Sequence, residues 1–203
     1  TTEFLPILTY DTDVGLGCGV KVFAVDHLGG DESFDMVLFN STKGERWYRL
    51  VFAIPDFERR QGTGYPIALD VVFDYDKWIK NSFFGIGNTS QYSTREYYTK
   101  EPFEISVAIS RGITPNAVGL FGIRYKTIRS YNFSAGGRLI ALAPPPNAAT
   151  ARYVSLFFSL RYDTRNSFVN PSGGLVLQGE TDLAPRSGLS NVAFTRFGAS
   201  LQY

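Results

Sequence analysis

Few side chains in this chain belong to the types that do covalent or metal chemistry, and their spacing restricts them further. His27 is the single histidine and Cys18 the single cysteine. One histidine builds neither a histidine-paired metal site nor a Ser-His-Asp triad, and His27 precedes Leu28-Gly29-Gly30, so it reads as a solvated loop residue. A lone cysteine excludes an intrachain disulfide and any multi-cysteine metal centre; beside Leu16, Val20 and Val22, Cys18 reads as a small hydrophobe. Asp70, Asp74 and Asp76 share one strand face and would attract a cation, but such a run more simply makes a face that needs water. Gly15, Gly17 and Gly19 alternate with apolar residues and open no helix, so they form no phosphate loop. Asp163 and Arg165, two apart at a turn, are of opposite charge and pair to hold it. The expectation is a chain with no enzymatic activity, no cofactor and no metal site.

Composition narrows the class. Twenty Lys and Arg stand against nineteen Asp and Glu, a balance with no long-range pull toward nucleic acid. Aromatics are 15% of residues, with twelve Tyr and seventeen Phe, a content suited to strands and to the aromatic belts of membrane interfaces. There is no basic segment followed by an apolar one at the start, and nowhere do eighteen apolar residues run together, so no spanning helix is expected. A slightly negative mean hydropathy does not decide against a membrane, because a barrel with a polar interior averages out in the same way.

The elements that must position these residues are strands. Val154, Leu156, Phe158, Leu160 and Tyr162 alternate with Ser155, Ser159, Arg161 and Asp163; after a turn dense in Asp, Asn, Ser, Pro and Gly, Leu175, Leu177 and Leu183 resume the period. Ile67, Leu69, Val71, Phe73 and Tyr75 alternate with Asp70, Asp74 and Asp76 in the most regular strand of the chain. Further strands are expected at Leu5 to Tyr10, Leu16 to Ala24, Phe34 to Leu38, Tyr48 to Ile54, Phe103 to Ile109, Phe121 to Thr127 and Ala193 to Tyr203, with a weaker one at Ala135 to Ala143. Asp56 to Thr63 is expected to be a loop, Lys77 to Ser90 a Gly- and Asn-rich connection, and Pro144 to Ala148 a surface loop that does not pair. One all-β antiparallel unit of nine to twelve strands results. Its apolar rows would face a shared core in a water-soluble sandwich or lipocalin-like binder, and lipid in a membrane barrel.

Three stretches carry a resemblance: LPILTYDTDVGLGCGV, FFGIGNTS and above all RYDTRNSFVNPSGG. They resemble the barrel of the bacterial surface antigen superfamily, the BamA-like assembly proteins of the outer membrane. The resemblance implies a transmembrane β-barrel over residues 1–203 in the bacterial outer membrane, with lipid and client outer-membrane proteins as partners and a role in protein insertion or translocation. It makes Asp163, Arg165, Asn170, Pro171 and Gly174 a family turn motif with a structural role at the periplasmic side. No periplasmic transport repeats are present in the chain, and Arg111-Gly112-Ile113 lacks the aromatic of the family's Arg-Gly-Phe/Tyr motif, so that function is not carried over.

Two expectations concern arrangement. Leu69, Val71, Phe73, Leu156, Phe158, Leu160, Leu175 and Leu177 are expected to face lipid and Asp70, Asp74, Arg161, Gln178 and Glu180 the interior. The family barrel has sixteen strands, so this chain is expected to be the N-terminal part of such a barrel, pairing its edges with further strands; a small self-closed barrel acting as a passive pore is the alternative.

Overall fold

In the computed structural model, the described residues are 1–55, 67–88, 90–142, 148–167 and 170–202. They form ten strands: β1 (Thr2–Asp11), β2 (Gly15–Val25), β3 (Ser33–Ser41), β4 (Arg46–Ile54), β5 (Ala68–Phe83), β6 (Glu96–Thr114), β7 (Ala117–Tyr131), β8 (Ala148–Asp163), β9 (Val176–Ala184) and β10 (Phe194–Gln202). Each strand pairs antiparallel with the next in sequence, giving one ten-stranded meander in the order β1 to β10. Connections alternate between two ends. Thr12–Val14, Thr42–Glu45 and the β5–β6, β7–β8 and β9–β10 loops lie at one end; both chain termini and the β2–β3, β4–β5, β6–β7 and β8–β9 connections lie at the other.

Because side chains alternate across a strand and register pairs lie on the same face, the ladder assigns every residue a side. Phe73 stands opposite Leu50 and Ile105, Ile105 opposite Tyr125, Ile109 opposite Phe121, Phe121 opposite Phe158 and Leu177 opposite Leu201. One apolar face therefore runs across the whole sheet. It is the exposed one: Phe73 is 38% accessible and Leu160 55%, while on the opposite face Ser155 is 0% and Asp182 4%. The sheet curls with its small and charged residues inside and its large apolar residues outside. A soluble sandwich needs a second sheet, and a lipocalin-like binder needs the apolar row inside, so that alternative is overturned.

The eight residues expected toward lipid fall on the outward face, with Leu175 lying one residue before β9, and Asp70, Asp74, Arg161, Gln178 and Glu180 fall on the inward face. Small residues concentrate inside: Ser33, Ala53, Ala68, Ser106, Ala108, Ser110 and Ser155 are all buried. Strong curvature crowds the concave side, so short side chains there let the strands converge.

Three segments differ from expectation. Lys77 to Phe83 is not a connection but the continuation of β5, paired with β6 through a bulge between Trp78 and Asn81; the extra residue shifts the alternation and hides the strand from a period-two reading. Ala135 to Ala143 is not a strand: Arg138–Leu142 forms a short helix, α1, whose first amides are taken by Glu96, with Arg138 N–H donating to Oε1 at 2.7 Å and Leu139 N–H to Oε2 at 3.0 Å. Ala148 pairs in the sheet, opposite Tyr131. The loops expected at Asp56 to Thr63 and Pro144 to Asn147 lie outside the described residues.

Candidate functional site

The inward face carries the charges, and the register shows which of them meet. Arg124 on β7 lies between β6 and β8; its Nε donates to Glu104 on β6 at 2.9 Å and its Nη1 to Asp182 on β9 at 2.9 Å, reaching past β8. Its guanidinium also sits 4.6 Å over the ring of Phe157. Phe157 is directly opposite Gly122, and a Cβ on Gly122 would lie 2.3 Å from that ring, so the glycine makes the bed in which the aromatic lies. Lys126 donates to the second oxygen of Glu104 at 2.7 Å and Arg196 on β10 reaches Asp182 at 3.4 Å. The result is a row of alternating charge over β6, β7, β9 and β10. Farther along, Lys21 pairs with Asp35 at 3.0 Å and Arg49 with Asp74 at 3.8 Å. A buried charge is tolerable only when paired and hydrogen-bonded, and this ladder meets that need on the concave side.

The three aspartates of β5 do not converge on a cation. Asp70 lies opposite Ala53 and Ala108, Asp74 near Arg49, and Asp76 opposite Trp47. Among the described residues no group of three or more His, Cys, Asp or Glu is placed to hold a metal. His27 is exposed, with Nε2 2.6 Å from the Thr2 hydroxyl, and Cys18 is exposed on the outward face.

The β8–β9 loop gathers part of the expected motif. Asp163 accepts from three donor groups of Arg165, Nε at 3.0 Å and 3.2 Å to its two oxygens, Nη2 at 2.7 Å and the backbone N–H at 3.0 Å; Arg161 Nη2 adds another donor. Gly174 has φ +119° and packs so closely that a Cβ would stand 2.5 Å from Arg165 Cα, which only glycine permits. Asn170 and Pro171 sit exposed at the tip, away from that cluster. Residues not singled out from the sequence close the loop: Asn166 Nδ2 donates to Ser172 Oγ at 2.6 Å, Ser172 N–H donates back to Asn166 Oδ1 at 3.0 Å, and Thr164 N–H donates to Leu175 O at 2.9 Å. Asn and Ser six apart in a turn are the sequence signal for such an exchange. The β2–β3 loop is built alike around Glu32, whose carboxylate accepts the amides of Leu28 at 2.6 Å and Gly30 at 3.0 Å; these bonds, that from Leu28 foremost, hold its pKa below the ordinary carboxylate value.

The remaining chemical feature is backbone. Among the described residues β1 is hydrogen-bonded to β2 alone and β10 to β9 alone, so each end of that sheet presents a row of N–H and C=O groups.

The model of the Omp85 superfamily domain matches residues 28–203. Among solved structures, that of BamA from Haemophilus ducreyi lacking POTRA domains 1-3 is similar, with a TM-score of 0.61 and 16% identity over 94% of this chain and 35% of that one. The chain thus spans about a third of the solved chain's length, and at that identity the likeness speaks for the fold. No curated protein matches in sequence. A family match that enters in the β2–β3 loop and runs through β10, on an outward-apolar sheet of the same fold as a solved outer-membrane barrel, places the chain in the Omp85 superfamily.

Proposed function

We propose that this chain forms part of the barrel wall of a protein that inserts or translocates other proteins at the bacterial outer membrane, and that it acts through its edge strands. The observation that carries the reading is the Omp85 family match on a sheet whose outward face is apolar, with β1 and β10 each paired on one side only among the described residues. In hydrocarbon each unpaired backbone group costs several kcal/mol, so such an edge must be covered. Further strands of the same barrel cover it at rest, and a strand of a client protein covers it in transit, pairing antiparallel with β1 as β2 does. No catalytic side chain is required. The charged concave face keeps the interior wet, and the Asp163–Arg165 loop holds β8 and β9 in register at the terminal end.

The test is crosslinking during client insertion. In proteoliposomes of a Cys18→Ser background, single cysteines at Leu5 and Ile7 on β1 are expected to trap an incoming client strand as a disulfide, whereas cysteines at Val107 and Ile109 on central β6 are not. Equal trapping at both strands, or insertion no faster than into empty liposomes, would overturn the reading. An oxidised disulfide between β1 and β10 of one chain would instead support the small self-closed barrel.

A further inference from the structure

Toward the end of the sheet that carries the β3–β4 and β5–β6 connections, the outward face changes character. Its central rows are hydrocarbon, but the next rows hold Arg46, Lys77, Arg129 and Arg152. Arg46 stands opposite Lys77, Arg129 opposite Glu101, and Arg152 opposite Thr127. Arg46, Arg129 and Arg152 are exposed and Lys77 half-exposed, and none of the four closes an ion pair among the described residues. The one anion among them, Glu101, is already held by two tyrosine hydroxyls, from Tyr75 at 2.6 Å and Tyr131 at 2.9 Å. Tyr48 stacks on Tyr75 at 5.6 Å and completes an aromatic belt just below the cations. At the opposite end of the same face the one comparable charge among the described residues of β4 to β9 is Arg111, flanked by Ile109 and Ile113.

From this asymmetry we propose that the belt binds the headgroup of a lipid bearing more than one phosphate, in the leaflet on that side. Three features point to this ligand. The cations lie on a lipid-facing surface, with the tyrosine belt and then Leu50, Phe73 and Ile123 below them, where acyl chains pack and headgroups follow. Their net charge, three positive after Glu101, is complementary to phosphate, and arginine binds phosphate oxygens by a bidentate fork. From β4 to β8 the four span four strand spacings, roughly 19 Å, too far for one phosphate to touch them all. A headgroup with separated phosphates fits that span. The inference rests on the membrane-barrel fold and not on client insertion, so it survives failure of the crosslinking test.

The experiment titrates the full chain, folded in detergent micelles, with diphosphoryl lipid A and counts bound lipid by native mass spectrometry. R46Q/K77Q/R129Q/R152Q is expected to bind about 600-fold more weakly, from four cations removed at about five-fold each. Monophosphoryl lipid A is expected to bind the native chain about ten-fold more weakly, excess inorganic phosphate not to displace the lipid, and R111Q to change nothing. If the quadruple variant does not fold, R46Q and R129Q singly are expected to lose about five-fold each. Unchanged binding by the folded variants, an equal loss in R111Q, or displacement by inorganic phosphate would overturn the proposal.

Discussion

Replacing Arg124 with methionine removes a cation that two carboxylates share, while keeping much of the side chain's volume. Asp182, whose side chain is 6% accessible, is left with Arg196 alone, at 3.4 Å and itself 68% accessible. Among the described residues its Oδ1 has no hydrogen-bond partner. Glu104 keeps Lys126 at 2.7 Å. Breaking a fully buried pair costs about 3–5 kcal/mol, because one charge is stranded. Here Glu104 is partly open to interior water, which lowers the figure, and the lost stacking on Phe157 adds about 0.5–1 kcal/mol. The expected loss is about 3 kcal/mol. Reversible urea unfolding in detergent micelles, followed by the fluorescence of Trp47 and Trp78, measures it. A cycle with D182N separates pair from neighbourhood: D182N removes the stranded charge, so the double variant is expected to recover at least about 1.5 kcal/mol relative to additivity. Arg196→Gln, at the exposed end of the row, is expected to cost under about 1 kcal/mol. A loss below 1 kcal/mol for R124M, or strict additivity with D182N, would refute the idea that Arg124 is the keystone of the inward charge row.

Val107→Lys on the outward face is expected to cost about 2–4 kcal/mol in lipid, while Gln178→Lys on the inward face costs under 1, both read by the same unfolding assay. Gly122→Ala forces a Cβ into the Phe157 ring and is expected to destabilise by about 1–3 kcal/mol; pairing it with Phe157→Leu should recover part of that loss. Gly174→Ala, at φ +119° and against the Arg165 backbone, is expected to loosen the β8–β9 loop, seen as faster proteolysis after Arg165. Glu32 has a folded pKa below its unfolded value of 4.5, so its contribution is present above that pH and lost as pH falls through the folded value. The protection factors of the Leu28 and Gly30 amides, each taken against intrinsic exchange at the same pH, should therefore fall on acidification below pH 4.5, and E32Q should show the low protection at every pH.

Strands with an unbroken period of two were legible from residue types alone. Leu69 to Tyr75 and Val154 to Tyr162 alternate cleanly, and their observed faces follow that alternation. Where a bulge adds a residue, as between Trp78 and Asn81, the phase slips and the strand reads as loop. Arg138–Leu142 misleads in the other direction: its apolar residues suit either period, and what makes it helical is a carboxylate forty-two positions away, Glu96, which the local pattern does not contain. Which side faced water was undecidable by period, because a sandwich and a barrel share it; the accessibility of Phe73 and Leu160 against Ser155 and Asp182 decides it. The inward row was equally hidden. Arg124 and Asp182 are visible as charges, but only the register of β7, β8 and β9 brings them to 2.9 Å. In the turn motif, Asp163 with Arg165 was readable from charge and spacing, whereas the Asn166–Ser172 exchange needed the path of the loop.

The central claim is that the outward apolar face meets lipid and the charged face does not. In a Cys18→Ser background, single cysteines at Phe73, Val107 and Phe158, and at Asp74, Ser106 and Ser159 on the other side, can each carry a small fluorophore in reconstituted vesicles. Brominated acyl chains are expected to quench the first three strongly and the second three weakly, with aqueous iodide showing the reverse order. Equal quenching of both sets by brominated lipid would contradict the account.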